Sequence, residues 1–211
     1  MKFLLFFEKT LTLLFWFLLI LGFDTPSVAY MTVIAAAIHE CGHLFMSFFF
    51  AKGNTSLPHA AISGFRIKSY GLSYKEELFV ALGGPVLNFL LGLALIQLPF
   101  TPRSAEYFDL FGVINILTCV SNLLPITGFD GYRAVECILA MRIRNSERVA
   151  EIMATVSFGF SVLSTFLSLY LILKTGEGYW IFAVFFSALF SVIVKRQKHI
   201  FYEKTRDFER F

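Results

Sequence analysis

Cysteine and charge are both scarce in this chain of 211 residues. The three cysteines, Cys41, Cys119 and Cys137, have apolar neighbours, and so few of them exclude a disulfide-stapled secreted scaffold. We therefore expect three free thiols. Charged residues make up 16% of the sequence, and a net charge of +3 gives no indication of nucleic-acid binding. A small-residue cleavage site is missing before Asp24, so we expect the first apolar segment to be retained.

Long apolar runs, by contrast, are abundant. Blocks of about 20 apolar residues recur along the chain, and this is the length that an α-helix needs to cross a bilayer. The sequence therefore predicts an all-α polytopic membrane protein with about six transmembrane helices. The predicted spans are 4–23, 28–51, 78–98, 107–124, 150–173 and 179–195. A β-like alternation from Ile62 to Lys68 predicts a short hairpin after the second span, with a solvated loop as an equal alternative.

Lysine and arginine are distributed unequally between the predicted connections. With the N-terminus in the cytoplasm, the outside connections contain only Arg103 and Lys174, and the other basic residues lie on the inside. This asymmetry predicts that both termini are cytoplasmic. We expect one transmembrane domain over residues 1–195 and a short basic tail over 196–211 that lies along the anionic membrane surface.

The second predicted span contains the sequence His39-Glu40-Cys41-Gly42-His43. Two histidines four residues apart lie on one face of a helix and can share a metal ion. Glu40 falls on the neighbouring face, where it suits a general base for an attacking water. Ionisable groups are costly in hydrocarbon, so a functional site is favoured over histidines that merely hydrogen-bond between helices. We interpret Cys41 as a packing residue and not as a ligand.

A catalytic zinc site needs a third protein ligand and an open position. Asp130 follows Pro125 and Gly128 and precedes Gly131, and these residues would break the fourth span at its inner end. The second and fourth spans run in the same direction, so Asp130 can meet the histidine pair on the cytoplasmic side of the membrane. A helix cap or turn residue is the alternative interpretation of Asp130.

Three motifs in this order resemble those of the site-2 proteases, which are intramembrane zinc metalloproteases. The motifs are His39 to His43, the segment Gly83-Gly84-Pro85-Val86-Leu87-Asn88, and Asn122 to Gly131, and the resemblance runs from about residue 28 to 137. The resemblance implies Zn²⁺ as the cofactor, with Glu40 as the catalytic base. The implied metal ligands are His39, His43 and Asp130. Asn122 and Gly128 are implied to contact the substrate, although the family usually has proline where this chain has Gly128.

The resemblance also implies a function. It implies a zinc metalloendopeptidase that hydrolyses a peptide bond of a membrane-embedded or membrane-associated protein, with the lipid bilayer and regulatory membrane proteins as further partners. The layout is similar to the bacterial branch that includes the sporulation protease acting on a sigma-factor precursor. That branch implies regulated intramembrane proteolysis in the bacterial cytoplasmic membrane. A polytopic metal-ion transporter is the alternative, since buried histidines and acids also line ion paths. A catalytically silent binding protein is a third, although no catalytic residue is missing.

Overall fold

The structure, a computed structural model, describes residues 26–50, 72–98, 102–176 and 181–193. Every regular element within these ranges is an α-helix, which confirms the predicted all-α fold for this part of the chain. The helices are α1 (Pro26–Phe50), α2 (Tyr74–Gln97), α3 (Pro102–Asn122), α4 (Asp130–Arg142), α5 (Ser146–Thr175) and α6 (Ile181–Ile193). The predicted span 4–23, the hairpin and the tail 196–211 lie outside the described residues.

Local sequence signals set several of the helix ends. Ser73 and Glu76 form a reciprocal capping box at the start of α2: the Ser73 hydroxyl accepts from the Glu76 N–H, and the Glu76 carboxylate accepts from the Ser73 N–H. Asn145 caps α5 by accepting a hydrogen bond from the Arg148 N–H. Gly176 ends α5 in the left-handed region, with φ at 73°.

Helix α2 lies at the centre of the described fold and packs against α1, α3 and α4. Glycines make these approaches close. A Cβ on Gly83 would lie 2.6 Å from the carbonyl oxygen of Gly42 on α1, and one on Gly92 would lie 2.8 Å from the carbonyl oxygen of Gly112 on α3. Small residues at helix crossings are typical of membrane proteins, where close van der Waals packing drives helix association.

The outer surface of the described helices is apolar. Phe48 and Leu173 are 81% and 78% exposed, whereas Asn88, Asn115 and Ser157 are fully buried. Among the described residues, three helices are long and apolar enough to cross a membrane. These spans are Ser27–Phe50, Tyr74–Gln97 and Ser146–Thr175. An apolar exterior around a polar interior, together with these spans, supports an integral membrane protein.

Two predicted spans correspond to helices that differ from an ordinary transmembrane segment. Helix α3 has 21 residues, but it carries Glu106 and Asp109 in its first half and polar residues such as Asn115 in its second. The described part of α6 is apolar but shorter than a span. Within the described residues, three of the predicted spans therefore meet the length and hydropathy of a membrane helix, and the count of six stays a prediction. The structure adds α4, a separate helix in what the sequence indicated to be a connection.

Candidate metal centre

His39 and His43 lie one helical turn apart on α1, and both are buried. Their Nε2 atoms are 3.1 Å apart, and their rings meet edge to face. The four-residue spacing alone brings the two imidazoles together, as the helical period requires. The pair therefore offers two nitrogen donors to a single point beside α1.

Asp130 approaches this pair from another helix. It is the first residue of α4, and its Oδ2 lies 2.8 Å from Nε2 of His39 and 3.2 Å from Nε2 of His43. Asp130 thus forms one cluster with two histidines that lie 91 and 87 positions away in the sequence. Among the described residues, this is the group of histidine, cysteine and acidic side chains with donor atoms close enough to hold a metal ion.

The donor set fits zinc in chemistry and in spacing. Two imidazole nitrogens and a carboxylate oxygen are ordinary ligands of a catalytic zinc ion. Tetrahedral bonds of about 2.0–2.1 Å separate neighbouring donor atoms by about 3.3 Å, so the observed 2.8–3.2 Å needs only a slight expansion. Three protein donors leave a fourth position open, as a catalytic site requires.

Gly84 on α2 provides room next to these donors. A Cβ at this position would lie 2.5 Å from Nε2 of His43 and 2.8 Å from Nε2 of His39. Both distances are well inside van der Waals contact, so no larger residue fits without moving the histidines. The Gly83-Gly84 pair, noted in the sequence as part of a family motif, therefore has a steric role on the face of α2 that meets the metal centre.

A second set of contacts orients the histidines. Nδ1 of His43 lies 2.7 Å from the carbonyl oxygen of Val80 on α2. Donation from Nδ1 to that carbonyl leaves the Nε2 lone pair free for a metal, the arrangement usual for histidine ligands. Nδ1 of His39 is buried and has no hydrogen-bond partner among the described residues. The Val80 contact involves a backbone atom, and no side-chain signal in the sequence indicates it.

Asn88 ties the helix that carries the histidines to two others. Its side chain is fully buried on α2, and Nδ2 donates to the carbonyl oxygen of Ala35 and to Oδ1 of Asn115, each at 3.1 Å. Ala35 lies one turn before His39 on α1. These contacts join α1, α2 and α3 at one point.

Glu40 is half-buried and close enough to His39, His43 and Asp130 to interact with them electrostatically. Its neighbour Cys41 lies outside the donor cluster, in agreement with its interpretation as a non-ligand, but it is exposed and so does not have the packing position that the sequence predicted. All three cysteines are free, as expected. A carboxylate next to the donors but not among them is in the position that a general base requires.

The two predicted substrate residues lie in or next to the turn that precedes Asp130. Nδ2 of Asn122 donates to the carbonyl oxygen of Thr118 within its own helix, at 3.0 Å. Gly128 is exposed in the left-handed region with φ at 106°, and a Cβ there would meet nothing within 4 Å. The structure brings neither residue into the donor cluster, so their role in substrate binding stays a prediction.

An ion pair joins α4 to the start of α2. Nη2 of Arg133 lies 3.5 Å from a carboxylate oxygen of Glu77, and the thiol of Cys137 lies 3.9 Å from the other oxygen. Burial, reinforced by the negative charge of Glu77, raises the pKa of Cys137 to about 11. This thiol stays protonated near neutral pH and takes part in packing α4 against α2.

Comparisons with known proteins bear on the family and the fold. No protein-family model matches the chain. Two curated relatives carry the name "Putative zinc metalloprotease Rip2": one from Mycolicibacterium smegmatis is 29% identical over 92 residues, and one from Mycobacterium tuberculosis is 32% identical over 94 residues. These alignments include 41% and 42% of this chain. The chain spans about a third of the length of these relatives, at 34% and 35%.

A solved structure, the site-2 protease from Methanocaldococcus jannaschii, matches over most of both chains. The match covers 86% of this chain and 85% of the other, with a TM-score of 0.59 and 14% sequence identity. The chain has the site-2 protease fold. The curated relatives support the same family, whose motifs the sequence resembles between about residues 28 and 137. Neither comparison bears on the sporulation branch, which stays a prediction.

Proposed function

We propose that this protein is an intramembrane zinc metalloendopeptidase acting on a membrane-embedded or membrane-associated protein. The observation that carries the proposal is that Asp130 of α4 converges with His39 and His43 next to Glu40. The two histidines and Glu40 lie on α1, a helix long and apolar enough to cross a membrane. Three ligands and an adjacent carboxylate at one buried point suit hydrolysis, in which a base must act beside the metal. The names of the curated relatives and the shared fold support it.

Each residue of the centre has a defined task in this proposal. His39, His43 and Asp130 hold the metal, and the Val80 carbonyl keeps His43 in the tautomer that presents Nε2. When bound, zinc supplies Lewis acidity, which polarises a carbonyl group and lowers the pKa of water. Glu40 accepts the proton of the attacking water and then donates it to the leaving amine.

The substrate must reach this centre as an extended strand. Carbonyl groups of a helical substrate are already hydrogen-bonded, so the helix has to unwind before the bond is cut. The freed backbone groups then need hydrogen-bond partners. In this proposal, Asn122 and the exposed main chain at Gly128, which shortly precede Asp130 in the sequence, supply them. An added strand at the predicted hairpin over residues 60–72 would provide more.

The remaining features of the proposal follow from charge and family. Both termini lie in the cytoplasm, and the site takes its water from that side. Residues 1–195 form one transmembrane protease domain, and 196–211 form a basic tail on the membrane surface. The protein resides in a bacterial cytoplasmic membrane and takes part in regulated intramembrane proteolysis under the control of other membrane proteins. A sporulation factor precursor is one candidate substrate.

A cleavage assay with matched variants tests the activity. The parent and the variants Glu40→Gln, Asp130→Asn and Glu151→Gln are purified in detergent, their bound zinc is measured, and each is incubated with a panel of membrane-anchored candidate substrates. We expect the parent and Glu151→Gln to cleave, because Glu151 is exposed on α5 and is not one of the clustered donors. Glu40→Gln should keep its zinc and lose activity by at least about 100-fold, as expected for a general base. Asp130→Asn should lose both zinc and activity.

Two results would contradict the proposal. One is a parent protein that binds no zinc, and the other is a Glu40→Gln variant as active as the parent. The transporter alternative makes a separate prediction, because conduction has no need of a base next to the ligands. Zinc flux into liposomes that is equal for the parent and for Glu40→Gln, without cleavage of any substrate, would favour the transporter.

A further inference from the structure

Asp130 depends on the preceding turn for its position. It is the first residue of α4, and Phe129 at the helix N-cap makes no side-chain capping hydrogen bond. The end of α4 therefore does not hold itself in place through a cap. The direction in which Asp130 leaves the turn at residues 123–129 decides whether its carboxylate reaches His39 and His43.

The turn is anchored from outside the metal centre. Ile126 is fully buried, and the Thr127 N–H donates to Oγ of Ser157 on α5 at 2.8 Å. The Thr127 hydroxyl shares a second hydrogen bond with the same Oγ at 2.9 Å. The Phe129 ring, next in the chain to Asp130, contacts Phe185 on α6 with centroids 6.4 Å apart. Two helices that carry none of the metal-binding side chains thus contact the turn.

Ser157 differs from three other buried hydroxyls of α5. The hydroxyls of Ser161, Thr165 and Ser168 donate to carbonyl oxygens within α5 itself, at 2.7, 2.7 and 2.9 Å. Such bonds satisfy a hydroxyl in an apolar region and join nothing to the helix. Ser157 has no exposed surface, and its hydroxyl is used by another segment of the chain.

We propose that Ser157 is a positioning residue for the metal centre. Through its two hydrogen bonds to Thr127, it holds the turn in the orientation that presents Asp130 to the histidine pair. The proposal rests on the proposed function, because it takes Asp130 as the third ligand. Its physical basis is that a backbone N–H in a poorly hydrated interior needs an acceptor, so without Ser157 the turn must move until Thr127 finds another.

The test compares serine and threonine variants of α5 and of the turn. Ser157→Ala removes both bonds, Thr127→Val removes only the hydroxyl bond, and Thr127→Ser retains both. Ser161→Ala is the matched control, because it deletes an equally buried hydroxyl on the same helix that bonds only within the helix. Zinc affinity is measured by competition with a chelator, and the Co²⁺-substituted proteins are compared by visible absorption. Thermal unfolding of the metal-free proteins reports general destabilisation.

We expect Ser157→Ala to weaken zinc binding by about 10–100-fold, the usual effect of losing a residue that orients a metal ligand. Its Co²⁺ spectrum should change as well. Thr127→Val should show a smaller loss, and Thr127→Ser and Ser161→Ala should stay within about twofold of the parent. Thr127→Val keeps the proposal testable even where Ser157→Ala fails to fold.

Equal zinc affinities and cobalt spectra for Ser157→Ala and Ser161→Ala would overturn the proposal. So would an equal loss of affinity in both variants that follows an equal loss of thermal stability, because that pattern indicates only a structural role. The ratio of the zinc affinities of Ser157→Ala and Ser161→Ala does not depend on proteolytic activity. A parent that binds zinc but cleaves no substrate would count against the proposed activity, while this ratio would still decide the role of Ser157.

Discussion

Replacing Gly84 by alanine adds a methyl group at the face of α2 that meets both histidines. The new Cβ would lie 2.5 Å from Nε2 of His43 and 2.8 Å from Nε2 of His39, whereas ordinary contact begins at 3.4 Å. The imidazoles, or α2 as a whole, must therefore shift by about 0.6–0.9 Å. That shift exceeds the tolerance of about 0.2 Å in zinc–ligand distances.

The expected result is a clear loss of zinc affinity, with a loss of folding stability that is no larger in free energy. A misplaced ligand shell costs at least about 10–100-fold in affinity, which corresponds to about 1.4–2.8 kcal/mol. Overpacking by one methyl group costs about 1–3 kcal/mol of folding free energy, and the shift of the histidines relieves part of it. Zinc affinity is measured by chelator competition in detergent, and stability by thermal unfolding of the metal-free protein.

Gly159→Ala is the matched control for this substitution. Gly159 lies on the exposed side of α5, and a Cβ there would meet nothing within 4 Å. Alanine at an exposed helical position should leave zinc affinity unchanged and stabilise the helix by about 0.5–1 kcal/mol. If Gly84→Ala bound zinc within twofold of Gly159→Ala, the steric reasoning for the centre would be wrong.

Two further predictions concern buried polar groups near the centre. Asn88→Ala removes the hydrogen bonds to Ala35 and Asn115 and should lower the unfolding free energy by about 1–2 kcal/mol, measured by denaturation in mixed micelles. The control Ser168→Ala should lower it by less than about 0.5 kcal/mol. Equal losses in the two variants would contradict the role of Asn88 in joining the three helices. Because burial raises the pKa of Cys137 to about 11, its alkylation rate, followed by peptide mass spectrometry, should rise about tenfold per pH unit between pH 8 and 10. An ordinary thiol would level off near pH 9, as Cys137 should do in the denatured protein, and a plateau there in the folded protein would refute the assignment.

Part of the fold follows from short-range rules that operate along the sequence. The positions of α1, α2 and α5 agree with the predicted spans, because an apolar run of about 20 residues can satisfy its backbone hydrogen bonds within itself as a membrane-spanning helix. The prediction was less successful for α3, which is long enough to cross a membrane but contains charged and polar residues. It missed α4. A helix of 13 residues that begins at a ligand has too few apolar positions to stand out in a hydropathy pattern.

The metal centre divides in the same way. Sequence alone determined the pairing of His39 with His43 and the place of Glu40 beside them, because a helical period of 3.6 residues fixes their relative directions. It also indicated Asp130 as a candidate, through the breakers around it and the family resemblance. Tertiary structure decided the rest: the approach of Asp130 to within 2.8 Å of His39, the space left by Gly84, and the anchoring of the turn by Ser157. These contacts join residues 30 to 91 positions apart, and their distances depend on how whole helices pack, which no local pattern in the sequence records.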